Sequence, residues 1–366
     1  MKHDLKAVVA QFDLEGEFVD AQPYGTGHIN DTYLVRLRQG QAVVPWILQR
    51  INHRVFTKVP ALMENILRVT EHVRGRLAAL PGSDLRRETL TVIPTRAGKA
   101  FLEDADGNFW RTYIFITGAR TYDEVRGRDM ARQAAMAFGR FQKLLMDLPE
   151  PTLHETIPFF HHTPDRFARL EAAIAADAAG RAASCPAEIE FALARKASTG
   201  VLVDGIAAGR LPLRVTHNDT KINNVMIDDQ DGRGICVIDL DTVMPGTVLY
   251  DFGDQIRTTT GTAAEDERDL SKVRFQIDMF EALVEGYLEA ARDFLVPAEI
   301  EQLAFSGRLI TFEIGIRFLT DYLQGDVYFK THRPGHNLDR ARTQFQMVRH
   351  MEAQSEAMEG IVARYR

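Results

Sequence analysis

Between Val215 and Asp241 the chain reads VTHNDTKINNVMIDDQDGRGICVIDLD. Five side chains in this stretch could do chemistry: His217, Asp219, Lys221, Asn224 and Asp239. A short apolar lead enters His217-Asn218-Asp219, and a polar turn runs to Asn224. Two β-branched runs, Val225–Ile227 and Ile235–Ile238, flank an Asp/Gly-rich turn and predict a hairpin. That hairpin gathers two acids, a carboxamide and an ammonium at one end. Such a set suits a metal ion and a proton acceptor, and it does not suit an apolar core.

The offsets His217-x-Asp219-x-Lys221-x-x-Asn224 match the kinase catalytic loop H-R-D-L-K-x-x-N, and Asp239 falls where the metal-binding Asp of D-F-G would stand. The pattern resembles the aminoglycoside phosphotransferase and choline kinase superfamily of small-molecule kinases. Within it, RVTHNDTKINNVM and VIDLDTVMPGTVLYDFGDQIR are similar to the N-acetylhexosamine 1-kinases, as are PYGTGHINDTYLV near the start and RFLTDYLQGDVYF near the end. The resemblance implies an α+β, bilobal, protein-kinase-like fold. A small antiparallel-sheet lobe, 1–117, is expected before a larger, mainly helical lobe, 118–366, with ATP between them. It implies Asn224 and Asp239 as Mg²⁺ ligands, Asp219 as proton acceptor and Lys221 at the transferred phosphoryl group. It further implies phosphorylation of the anomeric hydroxyl of N-acetylglucosamine or N-acetylgalactosamine. Arg317 and Tyr328 are then acceptor-side residues, with Asp241 and His28 behind them. A kinase for choline, an amino alcohol or another sugar is the alternative, and a catalytically inactive nucleotide-binding module is a further one.

The elements that must position these residues can be read in order. Residues 4 to 12 form a short helix on Leu5, Val8, Val9 and Phe12. Pro23 to Thr32 make a turn between strands, in which Gly25 and Gly27 permit close backbone approach to phosphate. By resemblance this is the nucleotide-covering loop, with Asn30, Thr32 and Gln49 also on the cofactor side. A full G-x-G-x-x-G is absent. The third strand, Trp46–Ile51, has Gln49 and Arg50 where many kinases carry a lysine. Residues 58 to 78 are an amphipathic helix with Leu62, Ile66, Val69 and Val73 inward. Glu64 on it is either a phosphate-side partner or part of a solvated face. Strands at 90–94 and 109–116 lead to a hinge at Thr117-Gly118, whose backbone would meet the adenine.

Beyond the hinge a helix spans 128–148. Residues 149–212 are helical, with breaks at Pro158, Pro164 and Pro186. His161 and His162 precede a helix start at Thr163, without further ligands at metal-site spacing. Asp251 in Asp251-Phe252-Gly253 reads as structural, bonding back to the catalytic loop. Helices follow at 266–293, 297–324 and 337–364. Arg317 lies in the apolar middle of the second, where it needs a partner, either a protein carboxylate or the acceptor's oxygens. His217 is read as bracing the backbone. Lys221 is a phosphate contact or a surface lysine. Asp241 belongs to the metal site, the substrate pocket or a turn.

Composition sets the outer bounds. A chain of 366 residues exceeds a single core, so two domains are expected. Net charge is −7, which argues against nucleic-acid binding across a broad basic face. Only Cys185 and Cys236 are present, far apart, so neither a disulfide scaffold nor a zinc site is expected. No signal peptide or bilayer-spanning run is visible, so no membrane partner is expected and a cytoplasmic location fits. The expected partners are ATP and a small sugar-like acceptor, and oligomeric state is not readable.

Overall fold

A computed structural model describes residues 3–25, 27, 29–150 and 152–366. In chain order its helices and strands are α1 (Leu5–Val9), β1 (Glu17–Pro23), β2 (Asp31–Gln39), β3 (Ala42–Ile51), α2 (Val59–Ala78), β4 (Val92–Ile93), β5 (Leu102–Glu103), β6 (Phe109–Ile114), β7 (Ala119–Arg120), α3 (Arg128–Leu144), α4 (Thr163–Ala176), α5 (Pro186–Leu193) and α6 (Val201–Ala207). Then come β8 (Arg214–Thr216), β9 (Val225–Asp228), β10 (Gly234–Val237), β11 (Met244–Gly246), α7 (Val248–Thr259), α8 (Ile277–Ala291), α9 (Pro297–Glu301), α10 (Leu303–Gln324), α11 (His336–Ala353) and α12 (Ser355–Tyr365). The architecture is α+β and protein-kinase-like. Two compact units divide the chain: 1–120 with 144–157 and 225–244, and 121–143 with 158–224 and 245–366.

The first unit is built on an antiparallel sheet ordered β1-β2-β3-β6-β4, with β5 also pairing β6. Alternation puts Val35 and Leu37 of β2 under α1, where they meet Leu5, Val8, Val9, Phe12, Leu48 and Trp110 in one core. On α2 the residues Leu62, Ile66, Val69 and Val73 are buried, as their spacing requires. Buried Asn65 on the same helix explains why two later segments join this unit. Its Nδ2 donates to the carbonyls of His154 (2.8 Å) and Val243 (3.1 Å), and its Oδ1 accepts from the His154 N–H (2.9 Å). The predicted hairpin forms as β9–β10, and β9 also pairs β7.

The second unit is helical. One core joins α3, α7, α8 and α12 with part of α10, through Phe252, Phe280, Leu283, Tyr287 and Ile310. Another joins α4 to α10 and α11, through Phe167, Phe312, Ile316 and Phe345. Gly253 of α7 lets α10 approach: a Cβ there would stand 2.5 Å from the Ser306 carbonyl oxygen. Pro164 and Pro186 open α4 and α5 rather than interrupt helices, the position where a missing N–H costs nothing.

Several boundaries differ from expectation. The helix from 128 ends at Leu144. Residues 266–276 hold only a 3₁₀ turn, Leu270–Lys272, capped by Asp269. Charged Glu265–Arg268 have no apolar stripe to bury, and Phe275 is drawn into a bridge with Gly261. The other two C-terminal helices each break once, at Gln302 and Gln354. Among the described residues no helix is long and apolar enough to cross a membrane.

Candidate active site

The second unit carries the loop that follows β8. Its backbone is pinned by two acids of α7. Asp251, fully buried, accepts the N–H of His217 (3.0 Å) and of Asn218 (2.7 Å), and also Gln142 Nε2 (2.7 Å). Asp254 accepts the Thr220 N–H (2.9 Å) and pairs with Arg257 (2.8 Å). So the Asp of Asp251-Phe252-Gly253 does bond back to the loop, as its position after Asp239 suggested. Asn218 is left-handed at φ 66°, and a Cβ at Gly246 would stand 2.3 Å from Thr216 Oγ1, so only glycine fits beside the turn.

This scaffold holds Asp219 largely buried, its side chain 26% exposed, 2.8 Å from Lys221 Nζ. Partial burial pushes the Asp219 carboxyl up, but the charge and hydrogen bond of Lys221, with His217 and Arg257 behind, outweigh it. The net shift is below the usual carboxylate range, so Asp219 is ionised at neutral pH. The charge of Asp219 in turn raises Lys221. His217 is buried edge-on to Phe138 and Phe141, and its Nδ1 accepts the Asp219 N–H at 3.3 Å. Asn224 Nδ2 donates to the Asp219 carbonyl at 2.8 Å, which turns the amide so that Oδ1 is the atom left for a ligand.

Behind the loop, His161 places Nδ1 2.9 Å from Glu313 Oε1 and Nε2 2.9 Å from the Asn218 carbonyl. The two adjacent histidines therefore have structural work: His161 braces the loop, and His162 caps α4.

The first unit carries the other acids. Asp239 is exposed and left-handed (φ 57°, ψ 58°), and it heads a single 3₁₀ turn, Leu240–Thr242. Asp241 in that turn is buried. Both its oxygens are engaged: by the Arg111 guanidinium, whose Nη2 is 3.0 Å from Oδ2, and by Asn30 Nδ2 at 2.6 Å. Arg111 also donates through Nε to Gln49 Oε1 (3.0 Å), and Gln49 Nε2 donates to Thr32 Oγ1 (3.0 Å). Asn30, Thr32, Gln49, Arg111 and Asp241 thus form one hydrogen-bonded chain. Arg50 is spent on Asp31 (2.8 Å). Glu64 lies beside His154 (2.9 Å) on the exposed face of α2. Gly25 and Gly27 are exposed, Gly25 at φ 80°. His28 lies outside the described residues. The carbonyls of Thr117 and Gly118 accept from Arg87 (3.0 and 2.8 Å).

Arg317 is half-buried, not enclosed in the apolar middle of its helix. Its guanidinium lies over the rings of Phe160 (5.9 Å) and Phe329 (5.6 Å), with no ion pair among the described residues. Gly325 (φ 96°) ends α10 and turns the chain back. The Asp321 carboxylate then accepts the N–H groups of Val327, Tyr328 and Phe329, which presents Tyr328 69% exposed.

Arg111 is the site residue that sequence reasoning missed. It sits in the strand FWRTYI, among apolar neighbours, and a buried charge there is itself a signal.

Comparison with known proteins gives the family and the fold. Residues 20–294 match the family model described as "Phosphotransferase enzyme family", so the chain belongs to that family. Its fold is similar to that of a microcompartment-associated aminopropanol kinase (17% identity, TM-score 0.57, 97% of this chain and 98% of that one). It is also similar to an aminoglycoside phosphotransferase from Alicyclobacillus acidocaldarius (12% identity, TM-score 0.59, 98% and 94%) and to choline kinase from Cryptosporidium parvum (13% identity, TM-score 0.53, 98% and 96%).

Proposed function

We propose that this phosphotransferase moves the γ-phosphoryl group of ATP to the anomeric hydroxyl of an N-acetylhexosamine, giving the sugar 1-phosphate. The observation that carries phosphoryl transfer is Asp219: ionised, still reachable from solvent, and held on a loop whose successive amides are fixed by Asp251 and Asp254. Asp219 orients the acceptor hydroxyl and takes its proton. Lys221, beside it, offsets charge on the transferred group. Asn30, Thr32, Gln49 and the backbone at Gly25 and Gly27 serve the nucleotide.

Magnesium is the implied cofactor. Among the described residues no three His, Cys, Asp or Glu side chains cluster to hold a metal alone. By the family pattern we assign to magnesium the Asp239 carboxylate and the Asn224 Oδ1, both hard oxygens. Such a sparse set fits Mg²⁺, which keeps waters and phosphate oxygens as its other ligands. Bound there, the ion would neutralise phosphate charge during in-line transfer.

Three relatives in fold are named as kinases of aminopropanol, choline and ethanolamine, so an amino alcohol is the second reading. The quaternary ammonium of choline would want aromatic faces. Beside Tyr328 those faces, Phe160 and Phe329, are already covered by Arg317. The guanidinium and the Tyr328 hydroxyl suit the hydroxyl and amide oxygens of an N-acetylated sugar better. ATP consumption with a panel of N-acetylhexosamines, other sugars and amino alcohols tests the assignment. Turnover of an amino alcohol and of no sugar would select the second reading.

A further inference from the structure

Strand β3 offers no lysine, and the cation nearest in register is Arg111, which lies directly across from Gln49 on β6. Its side chain is 1% exposed and that of Asp241 is 3%, so this pair is a fully desolvated ion pair. Such pairs contribute little net stability compared with a packed apolar pair. Its location suggests another use.

Asp241 belongs to the single turn Leu240–Thr242, and Asp239 is the residue that enters that turn. Asp239 holds a left-handed conformation that L side chains rarely adopt, and its surroundings help impose it. They do so from both sides of the turn. The Arg111 fork holds the Asp241 carboxylate in two places, and Asn65 Nδ2 holds the Val243 carbonyl at 3.1 Å. The same carboxylate accepts Asn30 Nδ2 at 2.6 Å, and Asn30 Oδ1 accepts the Asn52 N–H at 2.9 Å. One arginine therefore ties together the turn that presents Asp239 and Asn30, the residue before β2.

We propose that Arg111 is a positioning residue: acting through Asp241, it fixes the Asp239 carboxylate for the metal and fastens Asn30 of the glycine-bearing loop. Asp241 is then neither a metal ligand nor an acceptor contact. This rests on the reading of Asp239 as a metal ligand.

The test is the affinity of the folded protein for Mn²⁺ in the presence of ADP, followed by electron paramagnetic resonance, which needs no acceptor and no turnover. The double variant Arg111→Met/Asp241→Leu removes both charges and leaves an apolar pair, so the core has no orphaned ion. Its Mn²⁺ affinity should fall about 10- to 100-fold, the usual effect of losing a partner that orients a metal ligand, while its melting temperature stays close to wild type. Arg111→Lys keeps the charge but loses the two-pronged grip and should fall between. Wild-type Mn²⁺ affinity in the double variant overturns the proposal. If the double variant does not fold, Arg111→Lys decides: unchanged affinity there overturns it equally. Asp239→Asn separates the two claims. Wild-type affinity in that variant contradicts the ligand assignment itself, whereas a loss there with none in the Arg111 variants removes only the positioning role.

Discussion

His161 and Glu313 form a buried pair in which the imidazole must donate from both nitrogens, because Glu313 Oε1 and the Asn218 carbonyl, its two partners, are acceptors. Thr163 Oγ1 donates to the other Glu313 oxygen at 2.6 Å, and Tyr250 covers the imidazole. Burial alone would lower the His161 pKa, but the charge and hydrogen bond of Glu313 more than reverse it, leaving it raised above 6.5. Burial would likewise raise Glu313, and His161 reverses that, leaving it lowered below 4.5. The signs follow from linkage. The His161 contribution is complete below pH 6.5 and is lost as pH rises through the raised value. The Glu313 contribution is complete above pH 4.5 and is lost as pH falls through the lowered value. Thermal melts should therefore show stability declining as pH climbs above 6.5, and Glu313→Gln should flatten that decline. An unchanged slope in the variant contradicts the pair. Removing Glu313 outright should cost about 3–5 kcal/mol, as for other broken buried pairs.

Asp251 should be among the most sensitive positions in the second unit. Replacing it with Ala orphans two buried amides and Gln142 at once. Hydrogen bonds to a buried charge contribute about 1.5–3 kcal/mol each, so a loss of roughly 3 kcal/mol or more is expected in denaturant unfolding. Asp251→Asn retains shape and acceptor capacity at one oxygen and should lose less. Equal stability of both variants and wild type would show that the loop is held by other means.

The contrast between Arg111 and Arg317 shows what was legible in the sequence. A buried-charge argument was available for both arginines, each flanked by apolar residues. It was applied to the helical one. On α10 a flexible arginine can reach toward water along its stem, and Arg317 does so, half-buried over two rings. A central strand paired on both sides offers no such escape, and Arg111 is the one fully buried. The turn after β8, the hairpin and α2 were readable because their signals are local: fixed offsets, β-branched runs and a helical stripe. The Asp241–Asn30 bond joins residues 211 positions apart and the Asn65–Val243 bond residues 178 apart, so neither leaves a local trace.

Arg317→Met keeps length and apolar packing against Phe160 and Phe329. The protein should stay folded and bind nucleotide normally, while kcat/KM for the N-acetylhexosamine falls about ten-fold or more through KM, as expected when a buried hydrogen-bonding group of the substrate loses its partner. Unchanged sugar kinetics, or an unfolded variant, would make Arg317 structural.

Asp219→Asn removes the proton acceptor while preserving size and much of the local hydrogen bonding. The kcat should drop by roughly 10²-fold or more, the ordinary scale for a positioned base, and nucleotide affinity measured by calorimetry should change little. Near-normal turnover would place the base elsewhere.

The most direct test of the whole account is a product measurement. The purified protein is incubated with ATP, Mg²⁺ and N-acetylglucosamine or N-acetylgalactosamine, and phosphorus NMR follows the phosphate's coupling to the sugar. The account predicts a sugar phosphate whose phosphorus couples to the anomeric proton, formed in step with ADP and absent with Asp219→Asn. ADP release with phosphate on another hydroxyl, or only with an amino alcohol, would contradict it.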